Sequence, residues 1–182
     1  MMIRLTRFNV YLLLTLAAAA LCGCKTDESR RKDTFSTLKI QVEVNPEETK
    51  NSEVAAIGRH HPVLINVDPV PLLTQVHVKS AKVVDTPGGF ALTVEFGRKG
   101  VWLLEQFSVS NRGKRFGIFS KFVEPPGHIL NAGRWLAAPR INPRIHDGVL
   151  TFTPDATREE AEEIARGLTN MGKKLGNDSE WQ

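Results

Sequence analysis

The sequence predicts an α+β domain, mostly antiparallel sheet with two helices packed on one face. Apolar and polar residues alternate in short segments from Leu38 onward, which is the period-two pattern of half-exposed strands. Two segments depart from that pattern and repeat apolar residues at helical spacing instead. Strands therefore outnumber helices, and covering one face of an antiparallel sheet with two helices is the economical arrangement.

The strands are separated by residues that favour turns. Asn45-Pro46 ends the first strand and opens a polar loop that runs to Ser52. Asp85 to Gly89 has the composition of a hairpin loop, and Asp147-Gly148 forms a turn before the last strand. The predicted strands cover residues 38–44, 63–67, 76–84, 90–96, 116–123, 135–141 and 149–153.

The two helices carry different signals. Val101, Leu104 and Phe107 recur at helical spacing, and the segment ending in Gly113 stops this first helix. The second helix begins at a capping box, in which the side chains of Thr157 and Glu160 bond each other's backbone N–H groups. The apolar stripe that packs this helix on the sheet comprises Ala161, Ile164, Ala165 and Leu168.

The N-terminal segment has the proportions of a secretory signal. Arg4 and Arg7 precede the apolar run VYLLLTLAAAAL, which is shorter than the about 20 residues that span a bilayer. The run leads into Leu21-Cys22-Gly23-Cys24, which resembles the lipobox of bacterial lipoproteins. That resemblance implies a signal peptide over residues 1–23 and lipidation of Cys24, with acyl chains such as palmitate anchoring the protein to the membrane.

Two other interpretations of this segment remain open. An uncleaved anchor fits the apolar run, and two thiols so close together suit a metal or redox site. Cleavage before Cys24 would remove Cys22, and the chain has no other cysteine to complete a ligand set. We therefore expect an exported protein without disulfides, held together by its hydrophobic core.

The rest of the chain is expected to form a tether, one domain and a short tail. Residues 24–36 are polar and mixed in charge, as in a solvated tether. Residues 37–172 have the length of one domain with its own core, and residues 173–182 form a flexible tail. The 24 basic and 20 acidic residues nearly balance, so neither nucleic acid nor an acidic substrate is predicted as a partner.

Three segments within roughly residues 76–168 follow a recognisable order of elements: FALTVEFGRKGVWLLEQFSVSNRGKRFGIF, APRINPRIHDGVLTF and TPDATREEAEEIARGL. This order resembles the head of the first periplasmic domain of SecD/SecDF export subunits. The family pattern falls on Gly100, Gly113-Lys114, Ala138-Pro139, Gly148 and residues 157–161. This resemblance implies a module on the outer side of the membrane that contacts emerging polypeptide.

Two departures limit what the resemblance implies. The export subunits have several transmembrane helices, to which their proton coupling is attributed, whereas no apolar run of that length follows Cys24 here. The segment KFVEPPGHILNAGR, from Lys121 to Arg134, is longer than the tight hairpin usual in the family. Because prolines donate no ladder hydrogen bond, the chain must leave the sheet at Pro125-Pro126 and return near Trp135.

The sequence contains no recognisable catalytic or metal-binding signature. His60 and His61 are neighbours on an extended chain and point to opposite faces, which disfavours a shared metal. His146-Asp147 lacks a nucleophile, because no serine has the G-x-S-x-G setting. We predict no catalytic residue, cofactor, metal or small-molecule substrate; a small hydrolase or metal-dependent enzyme built on these residues is the alternative. The arginines that are expected to be solvated rather than to form an anion site are Arg112, Arg115, Arg134, Arg140 and Arg144.

The function predicted from the sequence is a non-enzymatic binding module facing the periplasm. Its partner would be a polypeptide or a cell-envelope protein, and a purely structural subunit of an envelope complex is the competing hypothesis. Lys25, rather than aspartate, follows the lipidated cysteine, which mildly favours the outer membrane. Ile129, Leu130 and Trp135 are the predicted contact residues, with closure over the core as the alternative role of Ile129 and Leu130.

Overall fold

The computed structural model describes residues 34–47, 49, 51–59, 61–124, 129–130, 133–142 and 144–176. The predicted signal peptide, Cys24, His60 and residues 125–128 lie outside these ranges, as do most of the tether and of the tail. Among the described residues, no helix has the length and apolar character needed to cross a membrane. The elements are β1 (Thr37–Val42), β2 (Glu53–Ile57), β3 (Val63–Val67), β4 (Leu73–Thr74), β5 (Val78–Thr86), β6 (Gly89–Phe96), α1 (Arg98–Ser110), β7 (Phe116–Lys121), β8 (Val123–Glu124), β9 (Ile129–Leu130), β10 (Arg134–Ala137), β11 (Val149–Phe152) and α2 (Arg158–Lys174).

The strands form two main sheets and a small hairpin. The larger sheet has six strands in the order β3-β2-β10-β7-β1-β4, the smaller has three in the order β11-β6-β5, and β8 pairs with β9. Between the strands of the described ranges, every pairing is antiparallel except the parallel contact of β2 with β10. The predicted α+β class, mostly antiparallel sheet with two helices, is confirmed. The strands are divided between sheets, however, rather than joined in one.

One hydrophobic core joins both sheets and both helices. In β1, the buried side chains of Leu38 and Ile40 flank the exposed Lys39, as the predicted alternation requires. Burying one such aliphatic side chain stabilises a fold by about 1.5–3 kcal/mol, so a core shared by all these elements is what holds them together. Its most deeply buried members include Leu38, Ile40, Leu92, Leu104, Ile118, Leu136, Ile164 and Leu168.

The larger sheet curls back on itself at its β3 edge. β3 pairs with β2 on one side, and on the other side the end of β3 meets the residues that follow β1. The N–H of Val44 donates to the carbonyl of Asn66 at 2.8 Å, and that of Asp68 donates to the carbonyl of Val42 at 2.9 Å. The curl encloses a second, smaller apolar cluster that comprises Ala55, Ile65 and Val67 with Ile57, Trp135 and Ala138.

Several segments differ from the sequence-based expectation. The structure has β2 at residues 53–57, where the apolar pattern predicts no strand, because pairing with the neighbouring β3 and the distant β10 stabilises it. Residues 75–77 form a 3₁₀ turn rather than the start of a strand, and the ring Nδ1 of His77 accepts the N–H of Thr74 at 3.2 Å there. Residues 129–130 form a strand rather than a loop, since they pair with residues 123–124.

Helix α2 has the predicted capping box. The hydroxyl of Thr157 accepts the N–H of Glu160 at 3.2 Å, and the carboxylate of Glu160 accepts the N–H of Thr157 at 2.8 Å. The helix continues to Lys174, beyond the predicted stripe. Gly172 lets this last part lie directly on β5, because a Cβ at Gly172 would collide with the carbonyl oxygen of Lys79. Helix α2 thereby covers the smaller sheet along most of its length.

Candidate functional site

A row of side chains crosses the larger sheet at Trp135. In the strand register, Trp135 is the partner of Phe119 on β7 and of Ile57 on β2. Phe119 is in turn paired with Lys39, and Ile57 with Val63. Because paired residues project from the same face of a sheet, these side chains form one continuous row, which we call the aromatic row.

The aromatic row is partly open to solvent. Val63 is 50% exposed and Lys39 is exposed, whereas Ile57, Phe119 and Trp135 are half-buried. The rings of Phe119 and Trp135 meet edge to face with their centroids 5.4 Å apart. The ammonium group of Lys39 lies 5.9 Å from the centroid of the Phe119 ring. The row thus combines apolar surface with one cation at its end.

Gly117 provides the seat for the indole of Trp135. A Cβ at Gly117 would lie 3.0 Å from the indole carbon Cζ3 and 2.9 Å from Cγ1 of Val67. Both distances are below ordinary carbon–carbon contact, so any side chain at this position would displace the indole or the valine. Trp135 is therefore held against the second apolar cluster, and the part of its side chain that remains exposed is what a partner could contact.

The β8–β9 hairpin lies in the connection between β7 and β10, so the chain enters and leaves it at the aromatic row. Residues 123–124 of the hairpin pair with residues 129–130. Gly133 then leads into β10 with φ +93°, and a Cβ there would lie 2.5 Å from the Phe119 ring. Ile129 and Leu130, two of the predicted contact residues, therefore lie on the strand that precedes the strand of Trp135. Gly133 connects these two strands and packs against Phe119 of the aromatic row.

Glu160 is the centre of a charged network at the start of β10. The residue is only 8% exposed, and its carboxylate accepts hydrogen bonds from Nη2 of Arg134 at 2.7 Å and from Nη2 of Arg59 at 2.5 Å. Arg134 also donates to the carbonyl of Asp155 at 3.1 Å, and its guanidinium lies 5.2 Å from the centroid of the Phe122 ring. The network ties β10 to helix α2 and to the turn after β2.

The network lowers the pKa of Glu160. Burial of the carboxyl acts to raise this pKa, but the hydrogen bonds from Arg134 and from the backbone of Thr157, with the charge of Arg59, outweigh it. The carboxylate therefore stays ionised near neutral pH. It holds Arg134, which directly precedes Trp135 in β10, so it positions the aromatic row without belonging to it.

An apolar groove of about 470 Å³ follows β10 beyond Trp135. It lies between the end of β10 and the segment that leads from β11 to helix α2. Leu136 and Phe152 line the groove and are themselves almost fully buried, while Asp155 brings a carboxylate to its border. The groove is thus a second concave surface next to the aromatic row, and Ile57 belongs to both.

Of the residues considered for catalysis or metal binding, His61, His146 and Asp147 lie within the described ranges and do not come together. His61 and His146 are exposed, and the carboxylate of Asp147 accepts the N–H of Val149 at 3.1 Å, which holds the turn before β11. The hydroxyl of Ser108 donates to the carbonyl of Glu105 at 2.9 Å inside helix α1. Within the described ranges, no group of three or more His, Cys, Asp or Glu residues is placed to hold a metal ion.

The arginines predicted to be solvated differ in their exposure and in their bonding partners. Arg140 is exposed and Arg144 is 65% exposed, the latter donating from Nε to the carboxylate of Glu105 at 2.9 Å. Arg134 departs from the predicted solvated surface, because its side chain is only 22% exposed and bonds to Glu160; Arg115 is half-buried as well, whereas Arg112 is exposed. The signal that points to this network is the position of Glu160 beside the apolar stripe of α2, where a charge needs a partner. Nothing in the sequence around Arg59 predicts that this residue joins the network.

Comparison with solved structures finds this fold in SecDF. A structure of SecDF, described as a membrane component that enhances protein export, matches with a TM-score of 0.51 and 21% identity over 82% of this chain and 71% of that one. SecDF in a super-membrane-facing form matches with a TM-score of 0.51 and 22% identity over 81% of this chain, which spans about 21% of that protein. No protein-family model matches the sequence. No curated protein matches it either. The resemblance predicted from the sequence is confirmed at the level of the fold.

Proposed function

We propose that this chain is a lipid-anchored module that faces the periplasm, binds polypeptide and catalyses no reaction. The aromatic row carries the proposal: Trp135 is packed on Gly117 but stays partly exposed, with apolar neighbours and with Lys39 in the same row. Tryptophan is enriched among the residues that dominate binding energy at protein interfaces. The likeness of the fold to SecDF, a component that enhances protein export, supports an accessory role in export.

The proposed anchor is Cys24. In this arrangement residues 1–23 are a signal peptide, residues 24–36 a tether, residues 37–172 the binding domain and residues 173–182 a tail. Each methylene that an acyl chain buries contributes about 0.8 kcal/mol, and two or more chains give stable attachment. Lys25 favours delivery to the outer membrane, with the domain on the periplasmic side.

Ile129 and Leu130 are proposed as the second part of the contact surface. An isolated two-stranded hairpin is marginally stable in water. The β8–β9 hairpin therefore gains from packing its apolar residues, either on the domain itself or on a bound partner. Its place between β7 and β10 brings these residues to the same end of the sheet as Trp135.

In-cell photocrosslinking tests the proposal on the full-length, lipidated protein. Lys39 is replaced by benzoylphenylalanine, because this exposed residue ends the aromatic row. Lys82, an exposed residue on β5, is replaced in the same way as the matched control. Crosslinked proteins are then identified by mass spectrometry.

We expect position 39 to capture many different secretory polypeptides and position 82 to capture few. A single stoichiometric envelope protein at position 39 would instead indicate the structural-subunit hypothesis. Equal and low yields at both positions would contradict binding at the aromatic row.

A further inference from the structure

The groove along β10 is bordered on one side by an open strand edge. The N–H of Phe116 donates to the carbonyl of Pro139 at 2.9 Å, and the N–H of Ile141 donates to the carbonyl of Lys114 at 2.8 Å. Pro139 and Ile141 therefore bond towards β7 and its preceding turn. Because bonding direction alternates along a strand, the N–H and C=O of Ala138 point the other way, into the groove that Ala138 lines. Neither group has a backbone partner among the described residues.

The other border of the groove is a second open edge. β11 is the outermost strand of the three-stranded sheet. The N–H of Phe96 donates to the carbonyl of Gly148 at 2.9 Å, so the register directs the peptide groups of Leu150 and Phe152 towards β6. Those of Thr153, which also lines the groove, continue the alternation and point away from β6.

The two edges touch at one end and separate from there. The N–H of Asp155 donates to the carbonyl of Leu136 at 2.7 Å, which closes that end of the groove. Beyond this bond the edges leave a wedge with an apolar floor that includes Ile57, Leu136 and Phe152. A strand edge with free peptide groups is a template for another strand, and here two such edges border one apolar groove.

We propose that the wedge binds an extended segment of the partner polypeptide, which adds as a short strand between β10 and β11. This inference rests on the proposed polypeptide-binding function and assigns it a specific site and binding mode. The segment would hydrogen-bond to Ala138 on one side and to Thr153 on the other, with apolar side chains on the floor of the wedge. A lipid or small apolar molecule would fill the floor but leave the peptide groups of both edges unpaired, whereas a polypeptide backbone satisfies both.

Peptide binding to the full-length protein tests this mode. The probe is an acetylated, fluorescein-labelled nine-residue peptide of alternating valine and serine, and binding is measured by fluorescence anisotropy. Two matched peptides carry N-methyl groups on all valines or on all serines. Since successive N–H groups of a strand point to opposite edges, each methylated peptide loses its donors on one edge only.

We expect each methylated peptide to bind at least tenfold more weakly, because both edges of the inserted strand are paired. Hydrogen–deuterium exchange at the amides of Ala138 and Thr153 should slow when the parent peptide binds. Thr153→Pro, which removes one donor without breaking a native hydrogen bond, should weaken binding tenfold, and Thr153→Ala should leave it within twofold. Equal thermal stability of the two variants shows that both are folded.

Loss of binding with only one methylated peptide would contradict insertion between two edges. Undiminished binding of both methylated peptides, or unchanged exchange at Ala138 and Thr153, would overturn the inference altogether. If crosslinking from position 39 persists in cells while the wedge fails these tests, the proposed function stands and this inference does not. If crosslinking from position 39 is absent, the proposed function fails regardless of the peptide results.

Discussion

Replacing Glu160 by glutamine tests whether the charged network holds β10 in place. The carboxylate accepts hydrogen bonds from Arg134 at 2.7 Å, Arg59 at 2.5 Å and the backbone of Thr157 at 2.8 Å. Removing one partner of a fully buried ion pair costs about 3–5 kcal/mol. The side chains of Arg134 and Arg59 are 22% and 40% exposed, so water offsets part of the loss. We therefore expect a destabilisation of about 2–3 kcal/mol, or roughly 6–12 °C in Tm.

Urea unfolding followed by tryptophan fluorescence measures this change in the free energy of unfolding. Glu162→Gln is the matched control, because Glu162 is an exposed acid on the same helix and should change stability by less than about 0.5 kcal/mol. If Glu160→Gln lowers the free energy of unfolding by less than about 1 kcal/mol, the network does not hold β10 in place. Arg59→Gln should cost less than Glu160→Gln, since Arg134 still pairs with the carboxylate.

Three further predictions concern pH, packing and the anchor. The folded pKa of Glu160 is lowered, so its contribution should be complete above the ordinary carboxyl pKa of about 4.3 and fade as pH falls through the folded value. Urea titrations at several pH values should show wild type and Glu160→Gln converging in acid, and a constant difference would contradict this. Gly117→Ala should destabilise the fold by about 1–3 kcal/mol and shift the fluorescence of Trp135, because the new methyl group would press on the indole and on Val67. An unchanged Tm would contradict this close packing of the indole on Gly117. Cys24→Ser should abolish incorporation of radiolabelled fatty acid while Cys22→Ala labels normally, and normal labelling of Cys24→Ser would remove the proposed anchor.

The features that could be predicted from the sequence are those whose signal lies within a few residues. The capping box of Thr157 and Glu160 is confirmed, because both partners belong to one helical turn. The hairpin between β5 and β6 is confirmed as well, with Gly88 at positive φ in its turn and Gly89 at positive φ where β6 begins. Each of these motifs supplies its own hydrogen-bond partners, so no knowledge of the rest of the chain is needed.

The features that could not be predicted depend on distant partners. β2 has the sequence EVAAI, whose two alanines give a weak strand signal, and its pairing with β10 joins Ile57 to Trp135. The bond from Arg59 to Glu160 connects residues 101 positions apart. The division of the strands into two sheets has the same origin, because alternation predicts a strand but not its neighbour.

The candidate site also has one part that the sequence predicts and another that it does not. The sequence predicts Trp135 as a contact residue and a return of the chain to the sheet near it, where the structure has β10. It does not predict that Gly117 and Phe119 form the surroundings of the indole, since both belong to a strand that is adjacent only in the folded sheet. The roles of Ile129 and Leu130 in binding stay a prediction.

The most direct test of polypeptide binding is the double substitution Ile129→Ser and Leu130→Ser in the full-length protein. Crosslinking of secretory polypeptides from position 39 is quantified in cells, and the Tm of the purified variant is measured in parallel. A binding surface at the hairpin and the aromatic row predicts a large loss of crosslinking with a Tm within about 2 °C of wild type, as expected for surface substitutions. Unchanged crosslinking, or a large fall in Tm that identifies both residues as core, would contradict it.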